Sequence, residues 1–138
     1  MKYLLDTNIC IYALNRRPPE VLERLRAEGQ EAVAISVITM LELRQGAHKS
    51  QHPEKTHGKL DLFLGPLRIL PFDEKAALEG ARIRAHLEQQ GKPIGDLDSL
   101  IAAHACSRNL VMVTNNLKEF SRVPGLRTEN WVLPAEPR

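Results

Sequence analysis

IGDLDSLIAAHACSRNLVMVTNN, residues 94–116, changes its periodicity once. From about Asp96 to Arg108, Leu97, Ile101 and Ala105 recur at helical spacing, and LVMV (110–113) then forms an unbroken apolar run of strand length. The same alternation extends to both ends of the chain. KYLL (2–5), AVAI (32–35), LRIL (67–70) and NWVL (130–133) read as the other strands. Between them, PPEVLERLRAEG (18–29) starts on prolines and ends on glycine, and SVITMLELRQGAHK (36–49) starts on Ser36 as an N-cap. Ala76, Gly80, Ile83 and Leu87 mark a helix from Asp73 to Gln90 that stops at Gly91. A further helix is predicted over 52–65, crossed by Gly58, and the polar stretch 48–58 reads as an exposed connection. Strands separated by helices pair in parallel through right-handed crossovers, which predicts an α/β three-layer sandwich.

A chain of 138 residues matches one domain with a sizeable core. With 43% hydrophobic and 26% charged residues, the composition excludes wholesale disorder. The apolar runs are strand-sized, far short of the roughly 20 residues of a spanning helix, and Met1 leads directly into a strand, so neither membrane span nor signal peptide is expected. Cys10 and Cys106 lie far apart in apolar surroundings, which predicts free thiols and fits a cytoplasmic protein. A net charge of +2 is too small to declare a nucleic-acid partner, although Arg16, Arg17, Arg24 and Arg26, and again Arg82 and Arg84, could form local basic surface. A solvated helix face accounts for them equally. The tail 134–138, PAEPR, has no apolar anchor and is expected to be a short flexible segment after a domain spanning 1–133.

In an open parallel sheet, functional groups gather beyond the carboxyl ends of the strands. Asp6 closes the first strand in KYLLDTN, where a turn or helix cap would also explain it. Asp96 and Asp98 stand at the start of the helix leading to the fourth strand. Asp96 suits capping, which leaves Asp98 without a structural role. Glu42, within MLEL, is either a solvent-facing helix residue or an acid aimed at the sheet edge. Beyond the fourth strand, Thr114, Asn115, Asn116 and Glu119 form either an Asn-capped turn leading to a short helix packed by Phe120, or further oxygen donors.

Carboxylates brought within about 4 Å repel by a few kcal/mol per pair at an effective dielectric near 20. They raise one another's pKa unless a cation intervenes. Hard oxygen donors suit Mg²⁺ or Mn²⁺, which can turn bound water into a nucleophile and offset charge on a phosphoryl group. Such a constellation predicts metal-dependent phosphodiester hydrolysis. His48, His52 and His57 lack zinc spacing, and His104 lies well round its helix from Asp98, which suits a packing or surface residue better than a general base.

LLDTNICIYALN, SVITMLELRQGAHKS, GKPIGDLDSLIAAHACSRNLVMVTNN and KEFSRVPGLRTENW resemble, in order and spacing, the VapC toxins, which are PIN-domain ribonucleases of bacterial toxin–antitoxin pairs. The resemblance implies a PIN-like α/β/α sandwich with a five-stranded parallel sheet of order 3-2-1-4-5. It implies a Mg²⁺-dependent RNA endonuclease, with Mn²⁺ as a possible substitute and Asp6, Glu42 and Asp98 as catalytic and metal-binding acids. Asn8, Asp96, Thr114, Asn116 and Glu119 would be auxiliary; many PIN domains carry an Asp where Asn116 stands, so Glu119 could supply the fourth carboxylate. Implied partners are an RNA substrate, with the tRNA anticodon loop preferred, a VapB-like antitoxin and a second copy of the chain. A DNA or structure-specific nuclease on the same fold, and a non-catalytic RNA-binding module, are the alternatives.

Overall fold

The computed structural model describes residues 1–134. The elements follow the predicted alternation: β1 (Tyr3–Leu5), α1 (Thr7–Asn15), α2 (Pro19–Glu28), a 3₁₀ turn (Gln30–Ala32), β2 (Val33–Ser36), α3 (Val37–His48), α4 (Pro53–Leu64) and β3 (Arg68–Leu70). The second half contains α5 (Glu74–Gln89), α6 (Asp96–Ser107), β4 (Val111–Val113), α7 (Leu117–Phe120) and β5 (Thr128–Glu129). The strands form one parallel sheet in the order β3-β2-β1-β4-β5, as expected.

Alternation along the strands assigns the two faces. Tyr3, Leu5, Val33, Ile35, Val111 and Val113 pack with side chains of α1 to α4, including Ile9, Val21, Leu43 and Leu60. Leu4, Ala34 and Met112 pack on the opposite face against Ile83 and Leu87 of α5 and Ile101 of α6. Register places Leu5 between Ile35 and Val113, so β1 is the innermost strand and the residue after it, Asp6, opens at the middle of the carboxyl edge.

Three expectations about boundaries are corrected. The fifth strand is Thr128–Glu129 rather than 130–133, because the ladder to β4 runs Met112 to Thr128 and Val113 to Glu129. Trp131 is buried for another reason: its ring meets Tyr3 edge-on at 5.2 Å, with Arg24 over it and its Nε1 donating to Glu129. The polar connection is shorter than expected, because α4 begins at Pro53, a favourable first-turn proline. Asp96 is the first residue of α6 and does not cap it; Gly95 is the N-cap, and Asp96 instead pairs with Arg84 at 2.8 Å. Cys10 and Cys106 are free, as expected. Beyond Pro134, the expected tail lies outside the described residues.

Gly58 sits inside α4, where a Cβ would meet nothing within 4 Å. Gly58→Ala should therefore stabilise the protein by about 0.5–1 kcal/mol, by removing backbone freedom from the unfolded chain. A higher midpoint in a urea melt with an unchanged slope is the expected result.

Candidate active site

The abrupt end of β1 on Asp6 has a local cause. Asp6 is the N-cap of α1, and its Oδ1 accepts the Ile9 N–H at 2.8 Å. The side chain is 6% exposed, and burial pushes its pKa up; Thr114 and the Ile9 amide oppose the rise and Glu42 adds to it. Capping engages one oxygen of a carboxylate that can accept about four hydrogen bonds, so the cap leaves acceptor capacity for another ligand. Thr114, fully buried just beyond β4, also accepts the Asn116 N–H at 3.0 Å.

Glu42 does not lie free in solvent. It is half-buried, and Thr7 Oγ1 donates to its Oε1 at 2.6 Å, which ties α3 to the first turn of α1. Asp98 lies in the first turn of α6 with its pKa raised to about 6, first by burial and then by the charges of Glu119, Glu42 and Asp6. Acids far apart in sequence thus face one another across the carboxyl edge.

Glu119 is oriented from two sides: the Gly95 N–H donates to its Oε1 at 3.1 Å, and the Asn116 side-chain amide donates to its other oxygen. Asn116 itself caps α7, so the amide supports the acid three residues on. Phe120 is buried beneath α7, as the capped-turn reading expected. Asn8 is exposed at the second position of α1, and Asp96 is turned toward Arg84.

Two residues of the edge escaped the sequence reading. Thr7 carries no signal that links it to the acids, and its bond to Glu42 spans 35 residues. Gly95 gives its amide to Glu119, and a Cβ there would stand 3.2 Å from Asp98 Oδ2. Gly95→Ala should displace the Asp98 carboxylate by a few tenths of an ångström and slow the reaction by about three- to tenfold with little change in thermal midpoint. Comparing initial rates and melts of the two proteins checks this.

Among the described residues, no three His, Cys, Asp or Glu side chains converge tightly enough to enclose an ion. The donors that do face one another are carboxylates without thiolate or imidazole, the set preferred by hard cations. Mg²⁺ in particular keeps several waters and is bound through one or two carboxylates plus substrate phosphates. Asp6 and Asp98 fit that demand.

The raised Asp98 makes the metal-free protein pH-sensitive. A carboxyl group with a folded pKa near 6 and an unfolded value near 3.8 is held more tightly as the acid in the folded state. Its contribution to stability is therefore full below about pH 4 and is lost as pH rises through about 6. Since the group is only partly buried, the effect is on the order of 1 kcal/mol after solvent screening. In EDTA, Asp98 should make the thermal midpoint fall between pH 4.5 and 7; Asp98→Asn should flatten that part of the profile.

Half of the six arginines that could form local basic surface are held in ion pairs among the described residues. Arg24 bonds Glu28 and Glu129, Arg82 bonds Glu79 and Arg84 bonds Asp96, while Arg16, Arg17 and Arg26 are exposed. No helix among the described residues is long and apolar enough to cross a membrane.

A parallel α/β domain with acids gathered at its carboxyl edge is the class that fold and site define, and residues 3–126 match the PIN domain family. The chain is 46% identical over 131 residues to the tRNA(fMet)-specific endonuclease VapC of Shigella flexneri, covering 95% of this chain and 98% of that protein. It is 48% identical over 132 residues to ribonuclease VapC2 of Haemophilus influenzae, covering 96% and 99%. It superposes on DNA-bound VapBC from Salmonella typhimurium with a TM-score of 0.91 at 43% identity, covering 96% of this chain and 99% of that one. The chain belongs to the VapC family, the ribonuclease toxins of VapBC toxin–antitoxin systems. The PIN-domain nucleases to which it belongs are typically metal-dependent.

Proposed function

We propose that this ribonuclease cuts tRNA in the anticodon loop, that the reaction needs Mg²⁺ or Mn²⁺, and that Asp6, Glu42 and Asp98 are its catalytic carboxylates. What carries the proposal is the gathering of Asp6, Glu42, Asp98 and Glu119 at one edge, where Asp98 is raised to about 6 first by burial and then by the charges of the other three. Acids placed to repel one another favour a bound cation. A hard divalent ion there would make a water more acidic and offset charge building on the phosphate.

The chain's own groups divide the remaining work. Asp6 is set by its cap to Ile9 and by Thr114, and offers its uncapped oxygen to the ion. Asp98 would offer the second carboxylate. Glu42, held by Thr7, would accept a proton from water or hold a coordinated water. Glu119 is the fourth carboxylate, and Asn116 orients it. Asn8 and Asp96, both exposed, would have auxiliary roles toward the RNA.

The tRNA specificity draws support from the Shigella flexneri relative, itself a tRNA(fMet)-specific endonuclease. An anticodon loop presents unstacked bases on a defined scaffold, which suits a shallow site better than a duplex does. Inhibition by a VapB-like antitoxin, homodimerisation and a cytoplasmic location complete the proposal. A panel of tRNA, unstructured RNA and DNA with Mg²⁺, Mn²⁺ or EDTA tests it. One cut in the loop of a tRNA, made only with divalent metal, is expected; equal cleavage of DNA, or of unstructured RNA, overturns the substrate assignment.

A further inference from the structure

His104 touches none of the acids, yet it is 1% exposed and polar. Its Nδ1 lies 2.8 Å from Ser36 Oγ. That oxygen already accepts the Ile38 N–H at 3.1 Å, as the N-cap of α3. A serine hydroxyl has one proton to give and two lone pairs, so beside the Ile38 N–H it can either donate to an unprotonated Nδ1 or accept from Nδ1–H, and a neutral ring keeps this bond in either tautomer. Nε2 is buried without a hydrogen-bond partner, Pro71 lies nearby, and Phe72 covers the ring edge-on at 5.5 Å. Burial lowers the pKa of the imidazole, with Arg108 aiding, and Asp73 and the Pro71 backbone opposing. A neutral histidine therefore joins α6, the cap of α3 and the link between β3 and α5.

The two joined helices carry like charges toward the same edge. Asp98 on α6 and Glu42 on α3 each stand six residues from the joint, and the Glu42 charge is among those that destabilise ionised Asp98. Helices bearing such a pair tend to move apart, and an interior hydrogen bond at their contact resists that motion where water cannot replace it. We propose that His104 is a positioning residue: through Ser36 it locks the first turn of α3 onto α6 and so fixes the separation of Glu42 and Asp98. The inference rests on the acidic site proposed above.

Mn²⁺ affinity without RNA, measured by calorimetry on the full chain, and kcat and KM for tRNA cleavage together test it. In His104→Ala, Mn²⁺ affinity and kcat should fall about 10–100-fold, the usual cost of losing an outer support of a metal site, with KM within about twofold. Ser36→Ala should lose as much, and the double variant no more than either. His104→Asn, whose amide oxygen can stand where Nδ1 does, should recover most of both. Unchanged Mn²⁺ affinity and kcat in Ser36→Ala, or additive losses in the double variant, overturn the proposal even if His104→Ala fails to fold. Failure of the acidic site itself looks different: Asp98→Asn would then bind Mn²⁺ as well as the parent does.

Discussion

In Asp98→Asn, RNA cleavage falls on the order of 10³-fold or more, while the metal-free protein at pH 7 loses no stability. The first effect follows from removing one of the charges that hold the cation, in a site where losing a single electrostatic stabiliser commonly costs 10²–10³ in rate. The second follows from the position of that charge: ionised Asp98 is opposed by burial and by Glu119, Glu42 and Asp6. An amide of the same shape keeps the packing and removes the repulsion, offset in part by losing a favourable charge at the start of α6. Initial rates on tRNA, with melts in EDTA, check both halves. Expression of the variant should also permit growth where the parent arrests it.

Leu5→Ala costs about 2–5 kcal/mol, a large share of the roughly 5–15 kcal/mol by which domains are stable. Leu5 is fully buried in the innermost strand, flanked by Ile35 and Val113 and packed with side chains of α1 to α4. No single neighbour can close the void, because the strand is held in register on both sides. A fall in thermal midpoint on the order of 10 °C is expected. The next residue is Asp6, so cleavage at a temperature where the variant is folded should fall as well. Circular dichroism melts and rates at 20 °C separate the two effects.

How far the sequence reveals this molecule depends on the range of each interaction. The helix over 96–108 and the strand after it are legible because their signals are local: Leu97, Ile101 and Ala105 in phase, then an apolar run. The fifth strand is misread because Trp131 and Val132 supply apolar character for packing, while the ladder uses Thr128 and Glu129, whose composition says little about strands. Asp96 is misread as a cap because capping depends on backbone angles, and Gly95 adopts them instead. The acids themselves are legible as a family pattern; their supports are not. The Thr7 to Glu42 and Gly95 to Glu119 bonds join residues 35 and 24 apart, and the His104 to Ser36 bond joins residues 68 apart. Such pairs have no periodicity to betray them.

The choice between Asn116 and Glu119 shows the same division. Sequence places both after β4 as oxygen donors. Folding gives Asn116 a local task, capping α7, and places the Glu119 charge first among those acting on Asp98. The roles then differ although the residues are three apart.

The central claim is that acids at the carboxyl edge cut RNA through a divalent cation. Cleavage of tRNA by purified protein, first in EDTA and then with Mg²⁺ or Mn²⁺ added in excess, tests it most directly. The account predicts no cutting in EDTA and full recovery on adding metal. Undiminished cutting in EDTA would contradict it.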